Sequence, residues 1–121
     1  MRLLCADDEP DIRAILEVAL SLEPTIEAEL FASGAELLAR AREGTADAIL
    51  LDAMMPEMDG YETCRHLKED PRTAAIPVVF LTARAQRGEQ DEAVALGAVA
   101  CLTKPFDPLT IAAELLSVLG R

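Results

Sequence analysis

Asp7 and Asp8 follow a first apolar run, Asp52 ends another, Thr82 ends a third and Lys104 comes just after a fourth. Acids crowded near one point repel one another and call for a cation. Hard oxygen donors with room for water favour Mg²⁺ over transition metals. A carboxylate beside such a cation is a nucleophile able to form an acyl phosphate. A lysine ammonium is a compact counter-charge for a phosphoryl oxygen, and a threonine hydroxyl can donate to another. These types suit phosphoryl transfer onto Asp52, provided the fold brings them together.

The elements that would do so are legible in order. Residues 2–6 form a short apolar run, and Pro10 suits the first turn of a helix. Ile12, Ile15, Leu16, Ala19 and Leu20 then repeat at helical spacing. Residues 26–31 alternate apolar and acidic, which predicts a strand with one polar face at a sheet edge. Ser33 with Glu36 has capping-box spacing, and the helix it opens stops at Gly44. Residues 47–51 are apolar on both faces after Asp47, as in a central strand. Asp59 and Glu62 open a further helix that runs to about Glu69. Val78–Leu81 predict a buried strand ending at Thr82, and a helix covers roughly 86–96 before Gly97. That helix has little to bury: Val94 and Leu96, helped by Ala93, so it should be the most loosely held. Val99–Leu102 predict the last strand. Asp107 caps a final helix with Pro108 at its first position and Ile111, Leu115, Leu116 and Leu119 on its inner face.

Strands alternating with helices predict an α/β domain over residues 1–121, with a doubly wound parallel sheet of five strands and five helices. In a parallel sheet every strand points its C-terminus to one edge, where α/β folds bind ligands. Four of the five predicted strands end there in the polar residues named above. Each has a plainer use alone. Asp7 and Asp8 could cap the next helix, Asp52 could cap a turn before Pro56, Thr82 could satisfy a turn, and Lys104 could be an ordinary surface lysine. An amphipathic repeat needs apolar strands; it does not need acids at two adjacent strand ends and a lysine at a third.

Composition narrows the remaining classes. Of 121 residues, 22 are acidic and 11 basic, a net charge of −11, so direct nucleic-acid binding and anionic membranes are disfavoured as partners. No apolar run reaches bilayer length, and the N-terminus meets acids at Asp7, too soon for a signal peptide; the cytoplasm is the expected location. Cys5, Cys64 and Cys101 are scattered, without a CxxC, which argues against a disulfide framework or a zinc site.

As a set, Asp7-Asp8-Glu9, Asp52 with Met55-Pro56-Glu57-Met58-Asp59-Gly60, Leu81-Thr82-Ala83 and Lys104-Pro105-Phe106 resemble a response-regulator receiver domain, over essentially the whole chain. The resemblance implies a flavodoxin-like sheet of order 2-1-3-4-5. It implies that Asp52 accepts a phosphoryl group from the phosphohistidine of a sensor histidine kinase or phosphotransfer protein. It implies Mg²⁺ bound by Asp8 and Asp52 directly, by Asp7 largely through water, and by the Met54 main-chain carbonyl. Thr82 would move toward the phosphoryl group, Lys104 would pair with it, the Lys104–Pro105 bond is open to the cis form, and Ala83 is suitably small. The output would be a downstream effector protein met by the fourth helix, last strand and last helix, with the chain a monomer or a weak dimer through that face.

Three positions depart from the pattern. Cys101 stands where receivers often carry an aromatic whose burial reports activation. Met54 and Arg84 stand where phosphoryl lifetime is commonly tuned; Met54 cannot orient water by hydrogen bonding and Arg84 is long and cationic, so slow self-dephosphorylation is expected. The chain would act on its own phosphoryl group alone, not as an enzyme. A haloacid-dehalogenase-like phosphatase would want a second acid two residues after the nucleophile, where Met54 stands. An FMN carrier would want a Ser/Thr/Gly-rich phosphate loop after the first strand, where Ala6-Asp7-Asp8-Glu9 would repel phosphate. A pseudo-receiver, acting without phosphorylation, would not need the complete set.

Overall fold

The computed structural model describes residues 1–83 and 87–121, and for 87–89 the backbone alone. Its elements alternate as β1 (Arg2–Ala6), α1 (Pro10–Ser21), β2 (Glu27–Phe31), α2 (Gly34–Ala41), β3 (Ala48–Asp52), α3 (Gly60–Glu69), β4 (Val78–Thr82), α4 (Arg87–Ala95), β5 (Ala100–Thr103) and α5 (Ile111–Val118). The strands form one parallel sheet of order β2-β1-β3-β4-β5. This is the flavodoxin-like sheet order 2-1-3-4-5 expected from the sequence.

Hydrophobicity sets the sheet positions. β3 and β4 are buried at every residue and lie inside the sheet. β2, with Glu27 and Glu29, takes an edge, where Arg2 and Arg40 meet the Glu29 carboxylate. Successive strand residues then feed two cores. Leu4, Ile49, Leu51 and Phe80 pack under α2, α3 and α4, while Leu3, Leu50, Val79 and Leu81 pack under α1 and α5. Each fully buried leucine stabilises the fold by roughly 1.5–3 kcal/mol relative to exposure.

Two of the three predicted N-caps form: the Glu36 N–H donates to Ser33 Oγ at 3.2 Å and the Glu62 N–H to Asp59 Oδ1 at 2.8 Å. Two readings are corrected. Val94 is 63 % exposed; among the described side chains of α4 the buried one is its neighbour Ala93, one helical step of about 100° away, with Ala98 buried just beyond. Asp107 does not cap α5. Its Oδ1 accepts from the Leu109 N–H at 2.9 Å, closing a turn through Pro108, and α5 begins at Ile111 with Thr110 as its N-cap. An Asp-Pro pair satisfies its own turn locally, which here takes priority over helix initiation.

Candidate functional site

The sheet brings the sequence-predicted residues to one edge. The order in which strands are added reverses between β1 and β3, so the loops after these two parallel strands diverge and leave a crevice at their C-terminal ends. Asp7 lies just beyond β1, and Asp52 closes β3 opposite Leu81 of β4. Thr82 pairs with Thr103, and the Lys104 N–H donates to the Thr82 carbonyl at 2.8 Å, which carries the Lys104 stem back over the edge. The Lys104–Pro105 bond is cis.

Lys104 ties the acids together. Its Nζ lies 2.8 Å from Asp7 Oδ2, 3.3 Å from Asp52 Oδ2 and 3.8 Å from Glu9 Oε1. Asp7, Asp52 and Thr82 are almost fully buried. Asp7 is fixed by its backbone: its N–H donates to the Phe31 carbonyl at 3.0 Å, and Arg13 Nη1 donates to its own carbonyl at 2.8 Å. Asp7 Oδ1 accepts from the Glu9 N–H at 3.0 Å. Asp7 Oδ2 is buried and makes an ionic contact with Lys104 but no hydrogen bond. At 2.8 Å the opposite charges attract whatever the donor angle.

Asp52 Oδ1 accepts from the Met54 N–H at 3.3 Å. Burial, and next the nearby Asp7 charge, push the Asp52 carboxyl up to about 6, against the pull of Lys104 and the Met54 N–H. Burial works against the Lys104 ammonium, but the Asp7 contact and the charges of Asp52 and Asp7 outweigh it and hold its pKa above the ordinary lysine value. The site is thus short of positive charge.

Carboxylate oxygens of Asp7, Asp8, Glu9 and Asp52 lie within 4.8 Å of one another. The buried Asp7 Oδ2 without a hydrogen-bond donor and the all-oxygen donor set fit a hard divalent cation. Around this edge, Met54 is 72 % exposed, Ala83 is exposed, and Cys101 is half-buried on β5 against the core under α3. Arg84 lies outside the described residues.

Three features escaped the sequence reading. Glu9 joins both the acid cluster and the Lys104 contacts; its place directly after the acid pair was the available signal. Ile12 and Ile15, both in the apolar repeat of α1, line an apolar cleft of about 340 Å³ with Ala83, Pro105, Phe106 and Pro108; Ile12 also packs against the core under α1 and α5, while Ile15 is 42 % exposed. Gly60 is the third. A Cβ there would stand 2.3 Å from the Asp52 carbonyl oxygen and 2.9 Å from Ala53 Cα, both rigid backbone. The bare glycine lets its N–H donate to the Ala53 carbonyl at 3.0 Å, so the start of α3 locks the end of the Asp52 strand. Gly60→Ala is expected to cost about 1–3 kcal/mol, as overpacking does. Urea unfolding measures this; an unchanged midpoint would contradict the close approach.

Comparison with known proteins agrees with this geometry. The response regulator receiver domain model matches residues 3–116, and the chain belongs to that family. It is 42 % identical over 118 residues to the response regulator PleD of Caulobacter vibrioides, covering 97 % of this chain and 26 % of PleD. The chain spans between about a quarter and about half the length of the curated relatives it matches first. Among solved structures, the chemotaxis protein CheY4 of Vibrio cholerae superposes with a TM-score of 0.88 at 32 % identity, covering 97 % of both chains. The receiver domain of a sensor histidine kinase from Pseudomonas aeruginosa, solved with a magnesium ion coordinated in its active-site cleft, superposes with a TM-score of 0.85 at 27 % identity, covering 99 % of this chain and 98 % of that one. The chain is a receiver domain of the two-component type. No helix among its described residues is long and apolar enough to cross a membrane.

Proposed function

We propose that Asp52 is the phosphoryl acceptor of this receiver, loaded from the phosphohistidine of a sensor histidine kinase or phosphotransfer protein. One observation carries the reading: Asp52 is a buried acid at the end of a central strand, sharing a single lysine ammonium with a second buried acid, Asp7. A carboxylate oxygen of Asp52 attacks phosphorus, the phosphorus–nitrogen bond breaks, and its electron pair stays on the imidazole.

Mg²⁺ is the cation the donor set fits; Asp7, Asp8, Asp52 and the Met54 carbonyl would hold it, and a related receiver was solved with magnesium in its cleft. When bound, it neutralises charge on the phosphoryl oxygens. Lys104 leaves its acid partners to pair with a phosphoryl oxygen, and the Thr82 hydroxyl donates to another. Ala83, with no bulk beyond Cβ, leaves the approach open. The signal passes to an effector protein through the face of α4, β5 and α5, which also serves a weak dimer if one forms. Cys101 lies within that face, so the rearrangement runs through the Thr82 loop and α4 rather than through an aromatic swing.

The test is Mg²⁺-dependent labelling by acetyl phosphate, a small phosphodonor. The chain takes up one phosphoryl group and Asp52→Asn takes up none; equal labelling of the variant would sink the proposal. Phosphoryl decay is expected to be slow, because Met54 offers no group to orient water. Met54→Asn should speed decay by about fivefold, the size of one ordinary hydrogen bond. Decay that is unchanged or slower in the variant would contradict the assignment.

A further inference from the structure

The loop after β3 places an exposed thioether beside the acceptor. Met54 is 72 % exposed, against 8 % for Met55, while Met1 and Met58 are half-buried. The Met54 backbone is joined to the acceptor by the 3.3 Å bond from its N–H to Asp52 Oδ1. Its side chain is therefore rooted one hydrogen bond from the reacting carboxylate, in contact with solvent. Two of the three thiols compete poorly for an oxidant. Cys5 and Cys64 are buried, and burial pushes both thiols up, away from the reactive thiolate.

We infer that Met54 is a redox modification site, and that its oxidation to the sulfoxide shortens the life of the Asp52 phosphoryl group. The inference rests on the phosphoacceptor reading above. The oxidant is of the peroxide class. A sulfur lone pair attacks one peroxide oxygen, the O–O bond breaks and an S–O bond forms. The second oxygen takes up the protons and leaves as water. Sulfur gives up two electrons and the peroxide gains them. Thiol-dependent sulfoxide reduction reverses the change.

The consequence follows from the change in polarity. A thioether is a weak acceptor, whereas a sulfoxide oxygen is a strong one. At residue 54 that oxygen accepts a hydrogen bond from a water near the acyl phosphate and holds it for attack on phosphorus. The water oxygen bonds to phosphorus, the bond from phosphorus to the Asp52 oxygen breaks, and the carboxylate leaves with the electron pair. The water's proton passes to solvent. Oxidative conditions would thus clear the phosphoryl signal without a change in the kinase.

The test treats the full chain with hydrogen peroxide and maps oxidised methionines by peptide mass. The chain is then loaded with acetyl phosphate and Mg²⁺, and phosphoryl decay is followed after the donor is removed. Met54 should oxidise ahead of Met55, and decay should quicken by about fivefold, the size of one hydrogen bond. Met54→Leu should lose the response to peroxide, Cys101→Ser should keep it, and Met54→Gln should decay quickly without peroxide. Oxidised Met54 with an unchanged decay, or equal quickening in Met54→Leu, overturns the inference and leaves the acceptor reading standing. A chain that takes no label at Asp52 with or without peroxide overturns both.

Discussion

Lys104→Ala is expected to lower stability near pH 7 by about 3 kcal/mol in the absence of Mg²⁺, the cost typical of breaking a buried ion pair from one side. The reason is local. Lys104 Nζ is 2.8 Å from Asp7 and 3.3 Å from Asp52, and both acids are at least 95 % buried. Without the ammonium, two carboxylates face each other in a site that water screens poorly. Two conditions should restore much of the loss. Protonating Asp52 below about pH 5 removes one of the charges, and saturating Mg²⁺ supplies another cation. Urea unfolding of parent and variant, at both pH values and with and without Mg²⁺, separates these effects. A loss of the same size under every condition would mean that the Lys104 stem matters as packing and that its charge does not. Phosphoryl uptake should fall by about a hundredfold in the same variant, the scale of losing one preorganised group that meets developing charge.

The second large effect is the pH dependence of the Mg²⁺-free protein. The Asp52 carboxyl is raised from 3.8 to about 6 by burial and by Asp7. An acid whose folded pKa lies above its unfolded value holds its proton more tightly when folded. Asp52 therefore favours folding below about pH 4, and this contribution is lost as pH rises through about 6, a span of roughly 1–3 kcal/mol. Asp52→Asn removes both the charge and the slope, so the variant should be the more stable protein at neutral pH without Mg²⁺. Mg²⁺ should flatten the slope of the parent and do little for the variant. A parent whose stability rises between about pH 4 and 6, with Asp52→Asn less stable at neutrality, would show that Lys104 more than compensates Asp52.

Why the sequence revealed so much of this edge follows from the parallel sheet. Once the alternation of strands and helices is read, Asp7, Asp52, Thr82 and Lys104 must meet, because every strand ends on the same side. Asp59 and Ser33 were readable because a cap is a contact between residues three apart. The features that escaped are set by packing between distant segments. Ala93 faces inward in α4 as expected but Val94 beside it does not, and the sequence of a short helix with few large apolar residues leaves that phase open. Ile15 fits the apolar repeat of α1 yet lines an open cleft, because its neighbours there, Phe106 and Pro108, arrive from a turn nearly a hundred residues away. Gly60 stands in the sequence simply at the opening of a helix; its necessity comes from the Asp52 carbonyl, which only the folded sheet sets against it. Asp107 followed the capping rule in type and spacing, but the turn at Pro108 took its carboxylate first.

The most direct test of the phosphoacceptor assignment is to locate the group. The intact chain, incubated with acetyl phosphate and Mg²⁺, should gain one phosphoryl group per molecule, carried by the peptide that holds Asp52. The label should be labile as an acyl phosphate is, absent when Mg²⁺ is chelated and absent in Asp52→Asn. Label that maps to any other side chain, or that forms equally well without Mg²⁺, would contradict the assignment of Asp52 as the acceptor.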